Sequence, residues 1–196
     1  MGRKPLARQK ILDASRQIVM ERGAGCLTFD EIAAVSGVTR GGITYHFPTK
    51  QELLQALVDH DLEQWRAIES ELRPKGFDEA TADLLASIRS YTHKHQDRRR
   101  FVSGMLGAAT LDPPILEPAR DYEQRRMAGV EWSDAVISQY LLRMAAVGIF
   151  WSDLFDCPSI PADVRTRLVK LLEQLAVEWS TDNPNLNKPQ QNSQEN

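Results

Sequence analysis

The 196-residue chain is 42% hydrophobic and 26% charged, the balance of a soluble globular protein, and it is long enough to bury a core without staples. No apolar run approaches the roughly 18 residues a membrane helix needs, and the Met-Gly-Arg-Lys-Pro start leads into an amphipathic helix rather than a secretory h-region. The net charge of −3 is unevenly spread: residues 1–50 carry eight Lys or Arg against four acids, +4, which leaves −7 for the rest, the distribution of a polyanion-binding head on an acidic body.

In chain order, Ile11, Leu12, Ile18 and Val19 form one stripe at helical spacing over 8–22, closed by Gly23 and Gly25. Thr28 followed by Glu31 is a capping box that opens a short helix through Ile32, Ala33 and Val35, stopped at Gly37. Thr39 caps a second short helix holding Ile43 and Phe47, which Pro48 breaks. Thr49 and Glu52 form another capping box, opening a long helix through Leu53, Leu54, Leu57, Val58, Leu62 and Trp65 as far as Arg73. Beyond Gly76 the helices lengthen. One carries Leu84, Leu85, Ile88 and Tyr91; the next carries Phe101, Val102, Met105 and Leu106; a third, after Asp112-Pro113-Pro114, runs through Tyr122 and Met127. Residues 133–155 are long and apolar on several sides, Cys157–Pro161 is a tight connector, and a last helix covers about Ala162–Trp179. No strand-like alternation and no repeat appears. The expected fold is all-α, about nine helices, divided into a head at 1–50, a helical body at 51–180 and an Asn/Gln/Pro-rich, disordered tail at 181–196.

Residues 28–47 have the physical parts of a helix-turn-helix. Ile32 and Val35 are expected to face inward, Ala33 is small where helices cross, Gly37 permits a left-handed turn, and Val38 closes the small core. The second helix begins at Thr39, so its first residues meet a major groove. Arg40 can read guanine with two parallel hydrogen bonds or grip a phosphate. Gly41 and Gly42 are poor helix formers, and the missing side chains are expected to let the backbone approach DNA closely. The alternative is a plain helical hairpin.

The run Gly37-Val-Thr-Arg-Gly-Gly-Ile-Thr-Tyr-His-Phe-Pro-Thr-Lys-Gln-Glu-Leu-Leu54 resembles the DNA-binding module of the tetracycline-repressor (TetR) family, over roughly residues 8–58 and most strongly at Tyr45–Lys50. The resemblance implies that Tyr45, His46 and Lys50 contact backbone phosphates, the last helped by the positive end of its helix, that Thr28 and Thr39 reach phosphates from helix starts, and that Phe47 anchors the core. Thr44 stands where an aromatic residue is frequent in the family, and Gly42 where a residue with a side chain is. Direct base reading is therefore expected to rest on Arg40, Thr44 and DNA shape.

The resemblance also implies homodimers that pair their last two long helices. Residues 133–155 and 162–179 independently carry more apolar surface than one covered face requires, burial within the monomer being the alternative. A two-fold dimer implies a near-palindromic operator. A pocket for a small apolar or aromatic ligand, as the resemblance implies, would be lined by Trp65, Phe101, Met105, Tyr122, Tyr140, Met144, Phe150 and Trp151; aromatic residues at this spacing also serve simply as core. Cys26 and Cys157 show no metal spacing and are expected to be buried thiols of a reducing cytoplasm, a redox switch being the alternative. His93 and His95 are expected at the surface, Arg98–Arg100 as a solvated helix start, and His60 with Asp59 and Asp61 on an exposed helix. No Gly-rich phosphate loop, HExxH motif or nucleophile elbow appears, so no cofactor, metal or enzymatic role is expected. The sequence therefore reads as a cytoplasmic, homodimeric, ligand-released repressor of transcription, against a DNA-binding protein without small-molecule input.

Overall fold

The computed structural model describes residues 3–93, 95–156 and 160–181. They form α1 (Arg3–Arg22), α2 (Phe29–Ser36), α3 (Arg40–His46), α4 (Lys50–Leu72), α5 (Glu79–Thr92), α6 (Gln96–Leu111), α7 (Glu117–Met127), α8 (Asp134–Phe155) and α9 (Ala162–Thr181), with short 3-10 turns at Ala24–Cys26 and Pro113–Leu116 and no strand. The first helix starts earlier than the apolar stripe indicated, because Pro5 is tolerated in a first turn that has no intrahelical N–H partner to lose. The tail expected to be disordered lies outside the described residues except for Thr181, which closes α9.

Packing groups the chain differently from the linear division at residue 50. One unit holds Met1–Trp65 with Lys94–Ala128, the other Arg66–His93 with Gly129 onward, so α4 belongs to the first up to Trp65 and to the second thereafter. In the first unit Ile11, Leu12, Ile18 and Val19 of α1 are all buried, and they share one cluster with Ile32, Ile43, Phe47, Leu53, Leu54, Leu57, Phe101, Met105 and Ile115. Helix α6 comes against α1 at Gly104, where a Cβ would lie 2.2 Å from the Val19 carbonyl oxygen. Only glycine permits that approach.

Polar groups also tie these helices together. Asp61, expected on an exposed face, is buried and receives Arg16 Nη1 of α1 at 2.9 Å and Arg98 Nε of α6 at 3.2 Å. Arg16 lies over the Phe101 ring at 4.4 Å, and Arg98 over the Trp65 ring at 3.4 Å. Arg98 is therefore no solvated helix start: its charge is neutralised by Asp61 and its plane is spread on an indole face, which is how a guanidinium tolerates burial. His95 is half-buried edge-on to Trp65, whereas His93 is exposed.

In the second unit Leu84, Leu85 and Ile88 of α5 pack on Leu142 and Ala146 of α8 and on Leu172 and Ala176 of α9. Helix α5 is capped by Asp78, which accepts from the Thr81 N–H at 3.0 Å and its hydroxyl at 2.5 Å; these bonds hold the carboxyl below its ordinary range. Arg89 pairs with Glu173, and Arg165 with Asp153 and the Thr92 carbonyl. Much apolar surface stays uncovered. Ile137, Leu141, Met144, Trp151 and Phe155 lie exposed along α8 at alternating steps of three and four through Gly148, and Val164, Leu168 and Leu171 repeat that spacing on α9. By length and composition α8 is long and apolar enough to cross a membrane, with an 18-residue window of mean hydropathy 1.3, of which 28% is buried, although polar residues such as Arg143 and Asp153 interrupt every apolar run.

Candidate nucleic-acid interface

Helices α2 and α3 are joined through Gly37, which adopts φ +69° and returns its N–H to the Ala33 carbonyl, as the turn required. The Thr28 hydroxyl accepts from the Glu31 N–H at 3.3 Å, but the Glu31 side chain turns to Arg22 instead of closing the box. Thr39 accepts from the Gly42 N–H at 3.2 Å, and at the start of α4 Thr49 accepts from the Glu52 N–H at 3.1 Å. Each short helix is thus fixed by its own cap. Val35, expected to face inward, is 46% exposed: the apolar face of α2 runs through Phe29, Ile32 and Ala33, and Val35 falls outside that row.

Thr28, Thr39, Arg40, Gly41, Thr44, Tyr45 and Lys50 are all exposed, while Gly42 and His46 are half-buried. Tyr45 projects into solvent with its ring edge-to-face on His46, centroids 5.2 Å apart. Phe47 is buried as the anchor, with the Arg8 guanidinium over its ring. Lys50 Nζ donates to the Gly25 carbonyl at 3.4 Å, which brings the start of α4 to the turn preceding α2. Gly25 itself sits within that 3-10 turn; Gly23 alone, at φ +82°, terminates α1. Cys26, expected to be buried, is an exposed thiol in the same turn, and Cys157 lies outside the described residues.

The two glycines of α3 differ. A Cβ on Gly41 would meet open space, compatible with a close backbone approach to DNA. A Cβ on Gly42 would lie 2.9 Å from Val38 Cγ1 and 3.3 Å from the Thr39 hydroxyl, so the small residue there serves the packing of the turn itself. The Thr44 hydroxyl donates to the Arg40 carbonyl at 3.0 Å and keeps its acceptor capacity. Arg40 does not stand alone: its Nη1 lies 2.6 and 2.7 Å from the two oxygens of Asp30 on α2. Sequence reasoning missed Asp30, because nothing in a ten-residue separation across a turn shows which side chains meet.

These exposed donors, hydroxyls and cations lie on two capped helices and the first turn of a third, and they offer hydrogen bonds and positive charge of the kind a polyanion accepts. The description "Bacterial regulatory proteins, tetR family" matches residues 11–57, and "Tetracyclin repressor-like, C-terminal domain" matches residues 81–177. The chain belongs to the TetR family. That family is one of bacterial regulatory proteins, and the relatives matched are named as HTH-type transcriptional regulators. Among relatives it is similar to the HTH-type transcriptional regulator SrpR of Pseudomonas putida, 41% identical over 32% of this chain and 33% of that one. It is also similar to the HTH-type transcriptional regulator CymR of Pseudomonas putida, 28% identical over 72% and 71%. The chain thus spans only about a third of SrpR in that match. A transcriptional regulator from Rhodococcus sp. Rha1 shares the fold with a TM-score of 0.65, 18% identity and 87% and 96% coverage. The multidrug binding protein EbrR complexed with malachite green does so with a TM-score of 0.59, 21% identity and 86% and 96% coverage.

The eight side chains expected to line a TetR-family ligand pocket divide between the units, with Trp65, Phe101, Met105 and Tyr122 in the first and Tyr140, Met144, Phe150 and Trp151 in the second. Phe101 and Met105 are buried in the first unit's core cluster, and Trp65 is buried beneath Arg98. Tyr122 is half-buried beside Arg126. Phe150 packs edge-on with Tyr91 and Trp151, whereas Met144 and Trp151 lie on the exposed stripe of α8 and Tyr140 is exposed against Trp132. Two open clefts of about 490 and 420 Å³ lie on the second unit, one along Val164, Leu168 and Leu171, the other between Phe77, Leu85 and Val177; none of the eight lines either.

Proposed function

We propose that this chain is a cytoplasmic homodimeric repressor that holds a near-palindromic operator through α3 and the start of α4 and is released by a small apolar or aromatic ligand. The observation that carries the dimer is the pair of uncovered stripes on α8 and α9. Their alternating three- and four-residue spacing is that of helices packing side by side, so a second copy laid two-fold against them makes a four-helix bundle. It also accounts for the apolar character of α8 without a membrane. Two copies then present two α3 helices, which suits inverted half-sites about one helical turn apart.

In this reading Thr28, Thr39, Tyr45, His46 and Lys50 hold phosphates while Arg40 and Thr44 meet bases, with Gly41 admitting the backbone. Ligand release is supported by the fold shared with EbrR, whose bound malachite green is an aromatic dye of the class proposed here. The placement of Phe101 and Met105 in the core favours a second reading, operator binding without small-molecule input.

Sedimentation of the wild-type chain and of Leu171→Glu tests the assembly. A micromolar dimer is expected, converted to monomer and weakened on DNA by the substitution; a monomeric wild type refutes it. A thermal-shift screen with small aromatic cations separates the two readings: a compound that raises the melting temperature and lowers DNA affinity supports the ligand-released one, and dyes that leave both unchanged favour the other.

A further inference from the structure

We propose that Asp30 is a positioning residue for Arg40, one that sets how strongly the protein prefers its operator over random DNA. The inference rests on the reading that α3 faces the DNA. Arg40 Nη1 is engaged by both Asp30 oxygens at 2.6 and 2.7 Å. A guanidinium carries five N–H donors in a fixed planar fork, so this leaves the Nε and Nη2 edge unused. That edge holds two parallel donors, the arrangement that matches guanine O6 and N7. An arginine fixed in one orientation before DNA arrives loses less side-chain freedom when it binds. The carboxylate also neutralises the charge that would otherwise attach to any phosphate.

The surroundings give the pair this control. Gly41 and Gly42 contribute no side chains, and the Thr44 hydroxyl is spent as a donor on the Arg40 carbonyl. Arg40 is therefore the cationic donor of the first turn of α3, and Asp30, on the neighbouring helix, decides where it points. Side-chain exposures of 65% for Arg40 and 74% for Asp30 make the pair weak enough for DNA to override. Random sequences must break it to gain a phosphate contact, whereas a correctly placed guanine can be read with the pair intact.

Asp30→Asn in the full chain tests this on two probes, a random-sequence duplex and the duplex that wild-type protein enriches from a random pool. On the random duplex the affinity should rise about threefold at low salt, and the log–log salt slope should steepen by about 0.9 as the freed guanidinium takes one more phosphate. On the enriched duplex the slope should hold, so the ratio of the two affinities falls roughly two- to fivefold, the range an exposed pair spans. In an Arg40→Ala background Asp30→Asn should change neither affinity, and Asp30→Glu in the wild type should restore most of the ratio. Equal shifts on both probes with unchanged slopes would overturn the proposal, as would an effect that persists undiminished without Arg40, because the carboxylate would then act as a bare charge. If the wild type enriches no sequence, operator binding fails as a reading, while the random-duplex slopes still judge the pair.

Discussion

The paired glycines of α3 offer a comparison in which helix propensity cancels. Alanine is favoured over glycine in a helix by roughly 0.5–1 kcal/mol, so Gly41→Ala and Gly42→Ala gain the same amount from the backbone. At Gly41 nothing opposes the gain, since its Cβ meets open space. At Gly42 the Cβ would stand 2.9 Å from Val38 Cγ1, against the 3.5–4.0 Å of a relaxed carbon contact. Valine is stiff at χ1 and Val38 is itself packed on the first unit's core, so relief requires the turn to shift, which costs about 1–3 kcal/mol. The same movement would disturb the Thr39 hydroxyl that caps the helix. Denaturant unfolding of both variants at one protein concentration should therefore place Gly41→Ala above the wild type and about 1–3 kcal/mol above Gly42→Ala. On DNA Gly41→Ala, though more stable than the wild type, should bind a random duplex more weakly than it, because the added methyl stands where the backbone approaches. Equal stabilities would refute the packing argument, and unchanged DNA affinity of Gly41→Ala would refute the close approach.

Two glycines of α6 differ in the same way. Gly104→Ala places a methyl 2.2 Å from a backbone oxygen that has no rotamer to yield, so unfolding measurements should show a loss of about 2–3 kcal/mol. Gly107→Ala, in open space on the same helix, should be neutral to slightly stabilising, and equal effects at the two positions would contradict the α1–α6 contact. Asp61→Ala leaves Arg16 and Arg98 largely buried without their shared carboxylate, and should destabilise by about 3 kcal/mol in the same assay; a loss within the range of surface substitutions would mean solvent already screens the network. Because Asp78 is held below its ordinary value of 3.8, its contribution is complete above that value and is lost as pH falls through the lower folded-state value. Asp78→Ala should therefore be less stable than the wild type at neutral pH, with the gap narrowing as pH falls below 3.8; a gap that stays constant with pH would show that the carboxylate charge is not what caps α5.

Features that short-range chemistry decides were legible in residue order. Thr28, Thr39 and Thr49 each cap the helix that follows, Gly37 takes the left-handed turn, Phe47 is buried, and Ile11, Leu12, Ile18 and Val19 form the buried face of α1. Caps, turns and helical stripes act within about four residues, so residue order states them directly, and the TetR resemblance rests on that same local run. Tertiary structure decided the rest, because those contacts join residues whose separation carries no signal. Asp61 meets Arg16 and Arg98 across 45 and 37 residues, and Asp30 meets Arg40 across a turn. Apolar composition alone did not separate core from surface: Phe101 and Met105 went into the core of one unit, while Met144 and Trp151 joined an uncovered stripe on the other. A helix reports its apolar positions in sequence, but which neighbour covers them is fixed only when the helices pack, since burial is a property of the partner surface as much as of the residue.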